Sequence, residues 1–329
     1  MSSLREAITN GFTGKRIAII GDLVADQFLG GTISRVSREA PVFILRHDET
    51  ITLPGAAANA AANVASLGGT PIPIGVVGRD ENGMRLTDAL EKLAVDCSSV
   101  VADPSATTTT KVRVLAGQHY AARQQVIRID YEGGPELANE TREKLTANLS
   151  DVADTLDAII VSDYGYGSVS DEIFAEARAI AERRSIPLVV DSRYRLTSFV
   201  GATAATPNCE EAENIVGKNF TDANGSTLRE NLGCQALLVT NGNKGMSLYT
   251  ATADPQHIDA VGSPEPVDVT GAGDTVIAAF ALSLASGLNF ADASKIANHA
   301  GGIVVMKKRT ATVTAAELLT SLDTAAAAY

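Results

Sequence analysis

DVTGAGDT at 268–275, followed by VIAAFALSLASG at 276–287, is the stretch on which the reading of this chain turns. The twelve residues after the turn are apolar enough for a buried helix. A short Gly-x-Gly turn opening such a helix exposes several backbone N–H groups at the positive end of the helix dipole, where an anion is favoured. Asp274 stands in that same turn. A carboxylate beside an anion hole is costly unless chemistry needs it, and a base next to a phosphoryl group is such a need. The plainer reading is a loop-to-helix junction, with glycine for tight packing and Asp274 as a first-turn residue. Gly-x-Gly alone does not decide between them.

Composition sets the bounds. The 329 residues suit one large α/β domain with an appendage, or two small domains. Hydrophobic residues make up 45%, ample for a core. A formal charge of −12 and a pI near 4.8 argue against nucleic-acid or anionic-membrane partners. An anionic substrate would therefore need a local cluster of Lys and Arg. Cys97, Cys209 and Cys234 are widely spaced and, with four scattered His, suggest neither a zinc site nor a disulfide framework. Reduced thiols in a cytoplasm are the expectation. The opening MSSLREAITNGFTGKR has no long apolar run, and no segment reaches the ~18 apolar residues of a membrane span.

Outward from the turn, strands and helices alternate. KRIAIIGD (15–22) and PIPIGVVG (71–78) read as buried parallel strands, AAANAAANVASLGG (56–69) and NGMRLTDALEKLAV (82–95) as helices. ELANETREKLTANLSDVA (136–153), LDAIIVSDYG (156–165), DEIFAEARAIAERR (171–184), IPLVVDS (186–192) and ALLVT (236–240) continue the pattern. It implies a parallel sheet covered on both faces. PVFILRHDETITL (41–53) and TTTTKVRVLAGQHYAARQQVIRIDYE (107–132) instead alternate in period two, as half-exposed antiparallel strands do. They predict a small sheet over one edge, a lid built from insertions at about 28–53 and 106–132. A lid with one apolar face predicts a homodimer through it. The AAAA near the C-terminus predicts a frayed helix end.

These segments together resemble the ribokinase/PfkB carbohydrate kinase superfamily over essentially the full length. GDLVADQF (21–28) resembles its opening sugar-binding strand end, PGAAANAAANVASLGG (54–69) its glycine-rich first signature and DVTGAGDTVIAAF its second. TPNCEEAE (206–213) carries the family's Asn-x-x-Glu, and TNGNKGM (240–246) its nucleotide-side turn. ISRVSREAPV (33–42), DYGYG (163–167) and ATVTAAELL (311–319) look most like heptose 7-phosphate kinases within the superfamily. The resemblance implies a single ribokinase-like domain over 1–329, a three-layer α/β/α fold with a mostly parallel central sheet and a small antiparallel β lid. It also implies ATP and Mg²⁺ as cofactors, K⁺ as a further candidate, and a sugar phosphate as substrate. Adenylyl transfer, often fused after the kinase in such proteins, would belong to a separate nucleotidyltransferase.

The resemblance gives Asp274 the role of base, and its position agrees, since the amides of Gly271, Ala272 and Gly273 would hold the γ-phosphate beside the attacking oxygen. Asn208 and Glu211 sit where a helix begins; the resemblance has them order Mg²⁺ and phosphate through water, while their spacing also fits a capping box. Asp22 and Asp26 lie at the carboxyl edge of the first strand, where open α/β sheets bind ligands, and carboxylates suit sugar hydroxyls. Asp22 is the stronger expectation, Asp26 being open to a loop salt bridge. Gly55 and Asn59 belong to the sugar side by resemblance, with Asn63 facing helix packing. Ala56 stands where the family usually has a second glycine, which narrows the φ/ψ freedom of any hinge for closure.

Lys111 and Arg113, two apart on a strand, share a face and could form one side of a phosphate clamp, or a solvated lid face. Arg35, Arg38, Arg123, Arg128, Arg193 and Arg195 are further basic candidates. Thr240, Gly242, Gly245 and Asn298 are expected on the nucleotide side, and His299 in packing. Asp268 and Thr270 match positions that bind a monovalent cation in relatives. The reading is an ATP-dependent kinase of heptose 7-phosphate. The alternatives are a related kinase of ribose, fructose or an aminosugar, and a non-catalytic sugar or nucleotide sensor on the same fold.

Overall fold

In the computed structural model, which describes residues 2–118, 123–134 and 136–327, fourteen strands form three sheets among ten helices of the described chain. The strands are β1 (Arg16–Gly21), β2 (Leu23–Val36), β3 (Phe43–Ala56), β4 (Thr70–Ile74), β5 (Val76–Gly78), β6 (Val101–Asp103), β7 (Thr110–Gly117), β8 (Gln124–Tyr131), β9 (Ala158–Asp163), β10 (Leu188–Ser192), β11 (Ala204–Ala205), β12 (Ala236–Thr240), β13 (Met246–Thr250) and β14 (Gln256–Ile258). The helices are α1 (Ser2–Glu6), α2 (Ala57–Ser66), α3 (Glu81–Glu91), α4 (Asn139–Val152), α5 (Asp171–Arg184), α6 (Cys209–Val216), α7 (Asp222–Asn231), α8 (Ala272–Ala285), α9 (Phe290–Val304) and α10 (Ala315–Ala327).

The main sheet runs β14-β13-β12-β11-β10-β9-β1-β4, parallel from β12 to β4 and antiparallel at β13 and β14. Its strands are apolar at consecutive positions because both faces are covered. Ile17 and Ile19 face the core beneath α2, α8 and α9; Ala18 and Ile20 face the core beneath α4 and α5. Helix α8 has no polar face, since Asp274 through Leu284 are all buried. Helix α5 is bounded by local chemistry. Ser170 Oγ accepts from Ile173 N–H, two acids open the helix and two arginines close it, and Ser185 ends it in the left-handed region.

The lid departs from the sequence reading in two ways. It has four strands in the order β3-β2-β7-β8, and β2 begins at Leu23, immediately after the main sheet, rather than near residue 28. It is also mixed rather than antiparallel. β2–β3 and β7–β8 are antiparallel, but the central pair β2–β7 is parallel. The chain between β2 and β7 passes back through the main body, so no hairpin constrains their direction. β2 escaped notice because LVADQF is nearly all buried and shows no alternation. PIPIGVVG also divides at Gly75, where a Cβ would lie 2.4 Å from the Gly21 carbonyl oxygen. β4 stays in the main sheet while β5 pairs with β6. The helix at the C-terminus holds through Ala327; residues 328–329 lie outside the described chain.

Candidate active site

The site forms where the lid joins the carboxyl ends of β1, β9 and β10. β1 closes on Gly21, whose missing side chain matters: a Cβ would lie 2.2 Å from the Ser162 carbonyl oxygen. Asp22 follows and is buried. Its carboxylate accepts three backbone N–H bonds, from Tyr164 at 2.8 Å, Tyr166 at 3.1 Å and Ser168 at 3.0 Å. Burial raises its pKa above the ordinary carboxylate value, the three amides pulling against that. Asp22 is therefore occupied in anchoring the 164–168 loop. That loop needs its glycines, Gly165 and Gly167 sitting at φ +81° and +100°.

Asp26 points inward from β2. Arg113 Nη1 donates to its Oδ1 at 2.5 Å and Thr310 Oγ1 to its Oδ2 at 2.9 Å. Gly55 is the neighbour that makes room, because a Cβ there would lie 2.7 Å from Asp26 Oδ2. The salt bridge read as the alternative for Asp26 is present, and it engages Arg113. Lys111, two residues earlier on the same face, lies over the rings of Tyr164 and Tyr166, 5.4 and 5.7 Å from their centroids. Burial lowers its pKa, Asp26 opposing. Arg123 pairs with Asp48 and Glu49, Arg128 with Asp130, and Arg195 with Asp163. Arg35 and Arg38 are exposed. Among the described residues, Lys111 and Arg193 are the basic groups beside the cleft without a carboxylate in ion-pair contact.

At the start of α8, Gly271 takes φ +76°, and a Cβ there would meet Asn59 Nδ2 at 2.4 Å. Asp274 is 3% exposed. Asn59 Nδ2 donates to its Oδ2 at 3.0 Å and to the Gly271 carbonyl at 3.2 Å. Tyr164 Oη donates to its Oδ1 at 2.8 Å. Asn63 backs this arrangement, its Nδ2 donating to Asn59 Oδ1 at 3.1 Å while its Oδ1 accepts from Val313 N–H. Burial drives the Asp274 pKa up to about 7, against the lowering effect of the Asn59 and Tyr164 bonds; Asp26 adds to the rise and Lys111 opposes it. A buried carboxylate of that proton affinity beside a cleft fits a general base near neutral pH.

Two cavities meet at Ala272 and Gly273. One is a polar cleft lined by Tyr164, Asp191, Arg193, Asn208, Glu211 and Gly271. The other is a mainly apolar slot that includes Gly242, Gly245, Met246, Val261, Val276 and Asn298, and Thr240 borders both. Asn208 and Glu211 form a reciprocal capping box on α6, each side chain accepting from the other's N–H at 2.9 Å, and both also face the cleft. Burial raises the Glu211 pKa, and Asp191 is driven well above the carboxylate range by burial, Glu211 and Asp274. Gly245 carries φ +87°, and its Cβ would lie 1.9 Å from the Ile258 carbonyl oxygen. Asn298 Nδ2 donates to the Asp259 carbonyl at 2.7 Å, while His299 packs against Ser321, its pKa lowered by burial. Asp268 lies beyond the turn, accepting from the N–H groups of Thr270 and Arg309 at 3.0 and 2.9 Å.

Sequence reasoning missed Tyr164, Asp191 and Thr310 at this site. DYGYG stood out as a family mark, but no spacing links an aromatic hydroxyl to a carboxylate 110 residues away. Asp191 ends a buried strand, at the edge where such sheets bind ligands, and that signal was available.

Residues 18–316 match the family described as pfkB family carbohydrate kinase. Among curated proteins, the chain is 39% identical over 310 residues to the bifunctional protein HldE of Geobacter sulfurreducens, covering 92% of this chain and 62% of that one. It is 38% identical to HldE of Azorhizobium caulinodans, covering 94% and 65%. The chain thus spans about three fifths of the length of these relatives. Among solved structures, Arabidopsis thaliana ribokinase complexed with ribose and ATP aligns with a TM-score of 0.70 at 19% identity, over 94% of this chain and 99% of that one. Escherichia coli phosphofructokinase-2 in complex with potassium aligns with a TM-score of 0.76 at 16% identity, over 95% and 99%.

Proposed function

The chain belongs to the pfkB family of carbohydrate kinases, and from that premise we propose that it transfers the γ-phosphoryl group of ATP to a hydroxyl of D-glycero-β-D-manno-heptose 7-phosphate, giving the 1,7-bisphosphate. The observation that carries this is the seat of Asp274. A buried carboxylate of raised proton affinity stands in the turn that opens α8, beside a polar cleft joined to an apolar slot. The slot suits a purine ring and the cleft its phosphates. The sugar hydroxyl gives its proton to Asp274, its oxygen bonds to the γ-phosphorus, and the bond to the ADP oxygen breaks in line. The amides of Gly271 and Gly273 receive the phosphoryl oxygens at the positive end of α8, joined by that of Ala272 once it leaves the Val269 carbonyl, to which it donates at 3.3 Å.

Lys111 and Arg193 support a substrate that already bears a phosphate. Both are cationic groups beside the cleft with no carboxylate in ion-pair contact among the described residues, in a chain of net charge −12. The family resemblance and the 39% identity to a protein named HldE favour the heptose over other sugar phosphates. Burial and the Glu211 charge raise the proton affinity of Asp191 across the cleft, a surplus of negative charge that a divalent cation suits. Mg²⁺ held there, largely through water, would neutralise the phosphates of ATP. A potassium ion near Asp268 and Thr270 belongs to the same proposal.

A panel of ribose, fructose, fructose 6-phosphate and heptose 7-phosphate with ATP and Mg²⁺ tests the reading. Heptose 7-phosphate should be consumed with the highest kcat/KM, and Lys111→Ala should raise its KM tenfold or more. Turnover of ribose or fructose with heptose 7-phosphate untouched overturns it. Asp274→Asn should abolish turnover and leave ATP binding nearly intact. Loss of both would mark Asp274 as a folding residue.

A further inference from the structure

Tyr164 and Asn59 both bind the Asp274 carboxylate, and Tyr164 does so through its hydroxyl. Its hydroxyl donates to Oδ1 at 2.8 Å while Asn59 donates to Oδ2 at 3.0 Å. A carboxylate offers about four lone-pair positions. One donor on each oxygen therefore fixes the plane of the group and leaves a position on each for an incoming hydroxyl. Tyr164 is itself held from two further sides. Its N–H is bound by Asp22 at 2.8 Å, which ties it to the end of β1, and the Lys111 ammonium lies 5.4 Å from its ring centroid, which ties it to the lid. The ring lines the cleft.

Resting on the sugar-kinase reading above, we propose that Tyr164 is the positioning residue of the base: its hydroxyl fixes the rotamer of Asp274 and holds its carboxylate in the anionic, proton-accepting form. During transfer the sugar O–H bond breaks with its proton passing to Asp274. The sugar oxygen bonds to the γ-phosphorus as the bond from that phosphorus to the β–γ bridging oxygen breaks, its electron pair leaving on ADP. Tyr164 keeps its own proton throughout. The groups facing Asp274 are then accounted for. Asp26 of the lid disfavours its anion; Lys111 of β7, Asn59 of α2 and Tyr164 favour it, and the Asp274 charge in turn raises the proton affinity of Asp191 at the end of β10. Their balance, with burial, sets a proton affinity of about 7. Loss of the Tyr164 bond moves it upward.

Tyr164→Phe keeps the ring beneath Lys111 and deletes only the hydroxyl. With heptose 7-phosphate and ATP, kcat should fall roughly tenfold to a hundredfold, the range expected for one hydrogen bond to a charged group, while KM changes by less than about twofold. The acid limb of the kcat–pH profile should move up by about one unit. The Asp274 carboxyl carbon, ¹³C-labelled and assigned by its absence in Asp274→Asn, should titrate at correspondingly higher pH, a readout that needs no substrate. The melting temperature establishes that the variant is folded. A folded Tyr164→Phe with unchanged kcat, acid limb and carboxyl titration overturns the proposal. A parent protein that transfers no phosphoryl group, together with a shifted carboxyl titration, overturns the kinase reading and leaves the role of Tyr164 in holding Asp274 standing.

Discussion

The burial of Asp274 as a carboxylate costs the fold stability. Its proton affinity is about 7 in the folded chain against 3.8 for an exposed aspartate. Between these values the native state binds more protons than the unfolded state, so stability falls as pH rises from about 4 to 7 and the deficit then stays constant. Asp274→Asn removes the charge yet keeps partners on both sides, its amide oxygen facing Asn59 and its amide nitrogen facing the Tyr164 oxygen. The variant should be more stable than the parent above pH 7, by on the order of 2–4 kcal/mol, and no more stable at pH 4. Calorimetric melting at both pH values checks this; an equal gain at each would assign it to packing. Ala56 is a second residue under tension. At φ +54° and ψ −130° it occupies a region that glycine alone enters freely. Ala56→Gly should relieve that strain by more than the added freedom of its unfolded chain costs, a net gain of about 1 kcal/mol, read as a rise in urea midpoint.

Elements whose every residue serves one purpose were open to reading from sequence. DEIFAEARAIAERR and ALLVT have the bounds expected of them, because cap residues and unbroken apolar runs are local signals. β2 was not, since its buried half carries polar Asp26 and Gln27 among apolar residues and its partner β7 lies 87 positions away at the Asp26–Arg113 pair. The same limit hid the work of Asp22. Strand position pointed to a sugar ligand, and could not show that the carboxylate also accepts from three amides of a distant loop. This makes the 164–168 loop depend on one side chain. Asp22→Asn replaces an accepting oxygen with a donating nitrogen and leaves at least one buried N–H opposed. Stability should fall by about 1–3 kcal/mol, and protection of the Tyr164, Tyr166 and Ser168 amides in hydrogen exchange should fall with it. Unchanged protection of all three would count against the anchor.

For the molecule as a whole, the acidic surface and the lid set the behaviour to expect. No helix among the described residues is long and apolar enough to cross a membrane. β8 is exposed along its length, with Val126, Ile127, Ile129 and Tyr131 between 41% and 53% exposed. Such a row is costly in water unless covered, and a second copy of the chain is the proposed cover. Ile127→Lys with Ile129→Lys should convert a dimer to a monomer in light scattering after size-exclusion chromatography, and a parent already monomeric at high concentration would end that proposal. β2 and β3 leave the main body together. They do so as a hydrogen-bonded pair at Leu23 and Ala56, next to the first turn of α2. Fourteen residues of strand reach roughly 45 Å from that root, so the lid is a long lever on a short fulcrum. A change in the tilt of that strand pair therefore reaches the backbone three residues from Asn59, the side chain that donates to Asp274.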